Sequence, residues 1–255
     1  MKPIGIIGGV GPFADIDLMQ KILTQTQANT DQEHIPIVLH SFPHQIPDRS
    51  AYLLGQSPDS PVAPLLNLLE SVVRAGATVV GIPCNTAHTP IIFEPLQERA
   101  ATLGIHLLNI VDETVQFVQN HYPDIQRLGL LGTNGTYQSN IYEVAFAQSG
   151  IDLVLPASTV QTEVIHRAIY DPIWGIKAVC HPISAQARCK LGSAMQHLKE
   201  RQADAVLLAC TELPPAIDAH LLSGLQAVDP TLALARALIH CAAGSSALTP
   251  LTTRL

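Results

Sequence analysis

Two stretches decide how this chain is to be read: ATVVGIPCNT, Ala77 to Thr86, and ADAVLLACTE, Ala203 to Glu212. They align without a gap. Each begins as a short apolar run bounded by turn-forming residues, the pattern of a buried strand, and ends in a cysteine followed by residues that bond to backbone. The alignment lays Cys84 over Cys210. One cysteine at the end of one buried strand is ordinarily inert packing, because cysteine is among the most buried residue types. The same residue at the same place in two copies of a unit predicts a chemical role for both.

The repeat extends outward from this pair. KPIGIIGGVGP, from Lys2, is echoed by QRLGLLGTNGT, from Gln126, with Gly5 over Gly129. The irregular segments SFPHQIPDRSAYLLGQSPDSP and YDPIWGIKAVCHPIS each carry one Lys or Arg, Arg49 and Lys177, at nearly the same separation as the cysteines. Short apolar runs alternate with segments of helical period, which predicts parallel strands joined by crossover helices. Strands are predicted at Ile4 to Gly8, Ile35 to His40, Thr78 to Ile82, His106 to Ile110, Arg127 to Leu131, Asp152 to Leu155, Ala205 to Ala209 and Gly224 to Val228. Helices are predicted at Pro12 to Asn29, Val62 to Ala75, Thr89 to Leu103, Asp112 to Asn120, Thr136 to Gln148, Gln161 to Tyr170, Ile183 to Arg201 and Pro230 to Ala243. The expected fold is α/β. It has two pseudo-symmetric lobes, each a mainly parallel four-stranded sheet flanked by helices, with the active site in the cleft between them. The expected lobes are residues 1–111 and 112–229, with the helix 230–243 returning to the first and a Ser/Thr-rich tail, 244–255, that is mobile.

Composition narrows the function. The 255 residues hold 14 Lys and Arg against 21 Asp and Glu, a formal charge of −7, and no basic cluster that would neutralise a phosphate backbone, so nucleic acid is not expected as a partner. Mean hydropathy is +0.24, yet no apolar run approaches the roughly 18 residues of a membrane span. Five cysteines, Cys84, Cys180, Cys189, Cys210 and Cys241, contain no CxxC pair and are odd in number, which predicts reduced thiols and a cytoplasmic setting.

Two cysteines at matched strand ends suit a proton transfer with two faces. Inverting a carbon centre needs one group to remove a proton from one side and another to deliver one on the opposite side, with roles exchanged in reverse. A free thiol has a pKa of about 8.5, so the base needs help, which a following helix N-terminus supplies; Asn85, Thr86, Thr211 and Glu212 are placed to form that environment. Arg49 and Lys177 could clamp two carboxylates, and the turns Gly8 to Gly11, which contains Val10, and Thr133 to Thr136 offer backbone donors. A small dicarboxylate fits these charges. Glu212 could hold an ammonium group, making the ligand an acidic amino acid.

The motifs GGVGP, DRS, CNTAH, LLGTNGT, IYDPIWGIK and ACTELP resemble those of the cofactor-independent aspartate/glutamate racemase superfamily, in its aspartate racemase branch. The resemblance runs from about Ile4 to Pro214. It implies a two-lobed enzyme, commonly a homodimer, that interconverts L- and D-aspartate with no pyridoxal phosphate and no metal. By the motif match Cys210 takes the α-proton from the L isomer and Cys84 from the D isomer. Arg49 and Lys177 correspond to the carboxylate binders, with Asn85, Thr86, Thr133, Thr136, Thr211 and Glu212 lining the site. Glutamate racemases usually show Asp-Ser in the first turn and His after the second Cys-Thr; here Gly9-Val10 and Glu212 stand there, which favours aspartate and puts Val10 at the substrate. The alternatives are a relative acting on glutamate, a hydantoin or a substituted malonate, and a silent amino-acid-binding protein.

Two further motifs lead elsewhere. His88, four residues after Cys84, invites a metal or Cys/His nucleophile reading, but no other histidine shows ligand spacing and no orienting acid is identifiable. Gly9, Gly11 and Ala14 outline a dinucleotide fingerprint, yet the acid expected at the end of the second strand is replaced by His40, Ser41 and Phe42.

Overall fold

The computed structural model describes residues 1–251. The chain divides into two compact units, Met1–Glu113 with residues 231–251, and Thr114–Pro230.

The first unit contains β1 (Ile4–Gly8), α1 (Pro12–Gln25), β2 (Ile37–Ser41), α2 (Arg49–Leu53), α3 (Val62–Arg74), β3 (Val79–Gly81), α4 (Pro90–Leu103), β4 (His106–Leu107) and the start of α5 (Ile110–His121). The second continues with β5 (Arg127–Gly132), α6 (Asn134–Gln138), α7 (Ile141–Phe146) and β6 (Asp152–Val154). One helical stretch follows, in which α8 (Ser158–Val160) passes through a π-helix, Gln161–His166, into α9 (Arg167–Tyr170). Then come α10 (Ala185–Glu200), β7 (Ala205–Ala209), β8 (Gln226–Val228) and α11 (Pro230–Ala243).

Both sheets have one strand order, β2-β1-β3-β4 and β6-β5-β7-β8, and every described pairing in them is parallel. β1 pairs with β2 through Ile4 and Ile37 and with β3 through Ile4 and Val79. It is buried at all five positions, the state of a central strand covered by helices on both faces, and hence its unbroken apolar run. β7 is likewise buried throughout. On α3, Leu65, Leu68, Leu69 and Val72 are the buried residues, one stripe at helical spacing; burying each leucine contributes about 2–3 kcal/mol.

The last helix, α11, packs against β3 in the first unit: a Cβ at Gly81 would lie 2.9 Å from Leu238 Cδ1 of α11, so a larger residue there would displace that side chain. The residues after it are tied down where weak patterning predicts mobility. Gln27 N–H donates to Ala247 at 2.8 Å, Thr249 N–H donates to Gln25 at 2.9 Å, and Thr26 bridges Leu248. Residues 252–255 of the expected tail lie outside the described residues.

Three local differences from the predicted elements have identifiable causes. The helix expected over Thr136 to Gln148 breaks in two, because Ser139 Oγ bonds back to the Thr136 carbonyl at 2.9 Å and Asn140 takes a left-handed φ of 54°. The strand expected to reach Ile110 stops at Leu107, since Asn109 Oδ1 accepts the Val111 N–H at 3.0 Å and starts α5. Helix α2, inside a segment expected to be irregular, starts at Asp48, whose carboxylate accepts the Ala51 N–H at 2.8 Å.

Candidate active site

In an open parallel sheet, functional side chains gather beyond the strand carboxyl ends where the order reverses. In the first unit that point lies between β1 and β3. The chain leaves β1 through Gly9 at φ +86°, where a Cβ would stand 2.8 Å from the Phe42 backbone. Its N–H donates to Asp15 Oδ2 at 2.7 Å, and Ser41 Oγ donates to the same oxygen at 2.6 Å. The Val10 carbonyl then accepts from Arg49 Nη2, and Pro47 accepts from Arg49 Nη1 at 3.2 Å. Arg49 is 6% exposed. A buried guanidinium is thus fixed to the glycine turn by residues far apart in the chain.

Cys84 lies three residues beyond β3. Its backbone is extended, with φ −158° and ψ 111°, and its N–H donates to the Ile82 carbonyl at 2.8 Å. Asn85 and Thr86 follow it, both buried. The expectation that residues opening a helix follow each cysteine is met at Thr89 after Cys84 and needs correction after Cys210. Cys84 leads into a 3₁₀ turn, Asn85–His88, before Thr89 caps α4, so the four residues of that turn stand between Cys84 and the helix's N-cap. Cys210 leads into turns and a short 3₁₀ segment, Pro214–Ala216. Proline is the cause in both: Pro90 and Pro214 set where each helical turn can start.

His88 serves the backbone of Cys84. Nδ1 lies 2.8 Å from the Cys84 carbonyl, and a carbonyl only accepts, so Nδ1 carries the hydrogen. Burial pushes the ring's pKa down to about 4 from 6.5, against the raising effect of the Cys84 and Leu108 backbone. Its nitrogen therefore holds an oxygen in place, which does not fit the Cys/His nucleophile reading. A stability prediction follows. A folded pKa below the unfolded one makes the unfolded chain bind the extra proton between those values, so the contribution is complete above pH 6.5 and is lost as pH falls towards 4. The loss is about 3 kcal/mol. Urea titrations at pH 7 and pH 4.5 should show it in the wild type and not in His88→Gln; equal pH slopes would contradict it.

The second unit repeats the plan at the ends of β5 and β7. Thr133 caps α6, its Oγ1 accepting the Thr136 N–H at 3.2 Å and lying 3.2 Å from Thr136 Oγ1. Cys210, 7% exposed, directly follows β7, and its carbonyl accepts the Leu213 N–H at 2.9 Å; Thr211 beside it is buried. Lys177 and Glu212 form an ion pair at 2.8 Å, and the Lys177 ammonium sits 5.3 Å from the centroid of the Tyr170 ring, within cation–π reach. The two residues assigned to opposite charges of the substrate are thus partners of each other. The loop that carries Lys177 is shaped by Asp171, whose Oδ1 accepts the Ile173 N–H at 3.1 Å.

Each unit therefore collects its own set: Val10, Arg49, Cys84, Asn85 and Thr86 in the first, and Thr133, Thr136, Lys177, Cys210, Thr211 and Glu212 in the second. Sequence reasoning passed over four contributors. Asp15 and Tyr170 carried some signal, as an acid in a helix first turn and an aromatic inside a conspicuous motif. Gln161 and His166 carried none.

The family model of Asp/Glu/hydantoin racemases matches residues 7–238, from within β1 to within α11 and across both cysteine segments. The chain belongs to this family. A broad-specificity amino-acid racemase, RacX of Bacillus subtilis, is 26% identical over 246 residues, covering 92% of this chain and 96% of that protein. A glutamate racemase of Corynebacterium diphtheriae is 28% identical over 185 residues, 67% of this chain and 62% of that protein. Among solved structures, the Picrophilus torridus aspartate racemase superposes with a TM-score of 0.75 at 29% identity, over 95% of this chain and 94% of that one. The family's members thus differ in substrate, and the side chains must choose between them.

Proposed function

We propose that the protein is an aspartate racemase in which Cys84 and Cys210 act from opposite faces of one substrate α-carbon, without pyridoxal phosphate. The observation that carries this reading is the equivalence of the two cysteines. Neither is in a disulfide and both are buried, each lies just past the strand neighbouring the centre of a sheet of one strand order, and each shares its unit with a buried or half-buried cation. As thiolate, Cys210 takes the α-proton of L-aspartate, and the Cys84 thiol delivers a proton to the other face; the D isomer runs the same steps in reverse.

Substrate polarity follows the same residues. Arg49 offers a planar fork to one carboxylate. Lys177 and Glu212 carry charges complementary to the other carboxylate and the ammonium group, so a zwitterion entering there replaces their mutual contact with two contacts of its own. Asn85, Thr86, Thr133, Thr136 and Thr211 supply neutral hydrogen bonds, and Val10 presents its carbonyl to Arg49 instead of to the ligand. The same reading takes the active species to be a cytoplasmic homodimer.

The test is exchange in heavy water. L-aspartate should gain α-deuterium and yield D-aspartate with no added pyridoxal phosphate, and the absence of both would leave only a binding protein. The similarity to RacX along nearly the whole chain favours one second reading, a broader substrate range. A panel of acidic, neutral and basic amino acids separates the two: turnover confined to acidic ones supports the aspartate reading, and turnover of neutral or basic ones the broader range.

A further inference from the structure

The turn Thr133–Thr136 is held by side chains from elsewhere in the second unit. Gln161, 1% exposed, donates from Nε2 to the carbonyl of Gly132 and to Oδ1 of Asn134, both at 3.0 Å. These are the residues on either side of Thr133. The amide orientation is settled by its partners, because a flip would set Oε1 against two acceptors. One turn further along the helix, His166 Nδ1 accepts the Asn134 N–H at 3.2 Å, which requires that nitrogen to be unprotonated.

The two clamping residues are five apart and both reach Asn134. In an α-helix such residues point about 140° away from each other. Here the intervening segment, Gln161–His166, is a π-helix, whose wider turn brings positions i and i+5 towards one face. We propose that this π-helix exists to set the Thr133–Thr136 turn, and that Gln161 is a positioning residue for substrate binding. This rests on the reading above that Thr133 and Thr136 line the substrate site. Gln161 touches no reacting atom. It holds the Gly132 carbonyl before Thr133 and the Asn134 side chain after it, so that the hydroxyl groups of Thr133 and Thr136 meet the ligand already in place.

Two variants test this. Gln161→Met keeps the length and loses both donors; KM for aspartate should rise about 10-fold while kcat stays within about 3-fold, the mark of lost uniform binding. Gln161→Glu adds a readout that a purely structural role would not move. As an anion it faces two acceptor oxygens and should bind aspartate no better than the Met variant at pH 8. As a protonated acid it regains one donor, so its KM should recover relative to wild type as pH falls to 5.5. Both variants are also followed by the rise in melting temperature on adding aspartate, which needs no turnover. Wild-type KM in both variants at every pH, or no acid-side recovery in the Glu variant, overturns the proposal. A wild-type chain that aspartate stabilises but that does not racemise it overturns the racemase reading alone; Gln161 is then judged by the loss of that stabilisation. A wild type that does neither overturns both.

Discussion

Cys84→Ser and Cys210→Ser should each lower the rate of aspartate racemisation by about 10³-fold, in line with losing one positioned acid–base group. The substitution removes little else. Both side chains are nearly isosteric with serine, both are buried, and neither cysteine is in a disulfide. Serine hydroxyl is a far weaker acid than a thiol, so it neither supplies the base nor gives up a proton as readily. The informative result is the asymmetry. Cys84→Ser retains the base that faces the L isomer and should still exchange the α-proton of L-aspartate with heavy water while forming little D-aspartate. Cys210→Ser should show the mirror behaviour with D-aspartate. Chiral chromatography for inversion, beside mass spectrometry for deuterium, separates the two events. Wild-type racemisation in both variants would end the two-base mechanism.

The second large effect is expected at Arg49. Its guanidinium is buried, set at the start of α2 by the Asp48 cap, and bonded to the Val10 carbonyl at the end of the glycine turn. Arg49→Lys keeps the charge and removes the planar fork. An ammonium group cannot hold the Val10 carbonyl and present a parallel pair of donors to a carboxylate. kcat/KM for aspartate should therefore fall about 100-fold, the scale of losing one buried charged hydrogen-bond pair. The loss should be smaller for an amino acid without a side-chain carboxylate if Arg49 holds that group, and equal if it holds the α-carboxylate. An unchanged kcat/KM would remove Arg49 from substrate binding.

Much of this architecture is legible in the chain itself, and particular residues show where that ends. Ile4–Gly8 and Ala205–Ala209 read as strands with the observed bounds, because a strand covered on both faces must be apolar at every position. Pro12 and Pro230 mark helix starts correctly, because proline's fixed φ suits a first turn. Helix α2 escaped notice because five residues carry too little period to detect, and its cap, Asp48, is a residue equally at home in a turn. The π-helix escaped because one residue in excess of α-helical spacing leaves the pattern of apolar residues almost unchanged. The contacts of Arg49 with Val10, of Lys177 with Glu212 and of Gln161 with Gly132 carried no local signal at all.

What the sequence determined alone is therefore the repeated α/β plan and the matched positions of Cys84 and Cys210, since apolar runs, proline, glycine and residue spacing act over a few neighbours along the chain. What only the tertiary structure decided is who holds whom: Arg49 on the Val10 carbonyl, Glu212 on Lys177, and Gln161 around Thr133. Those pairings depend on strand order and on which loops share a sheet end. Pairing across a fold is set by packing and hydrogen-bond geometry, which no pattern of neighbouring residues records.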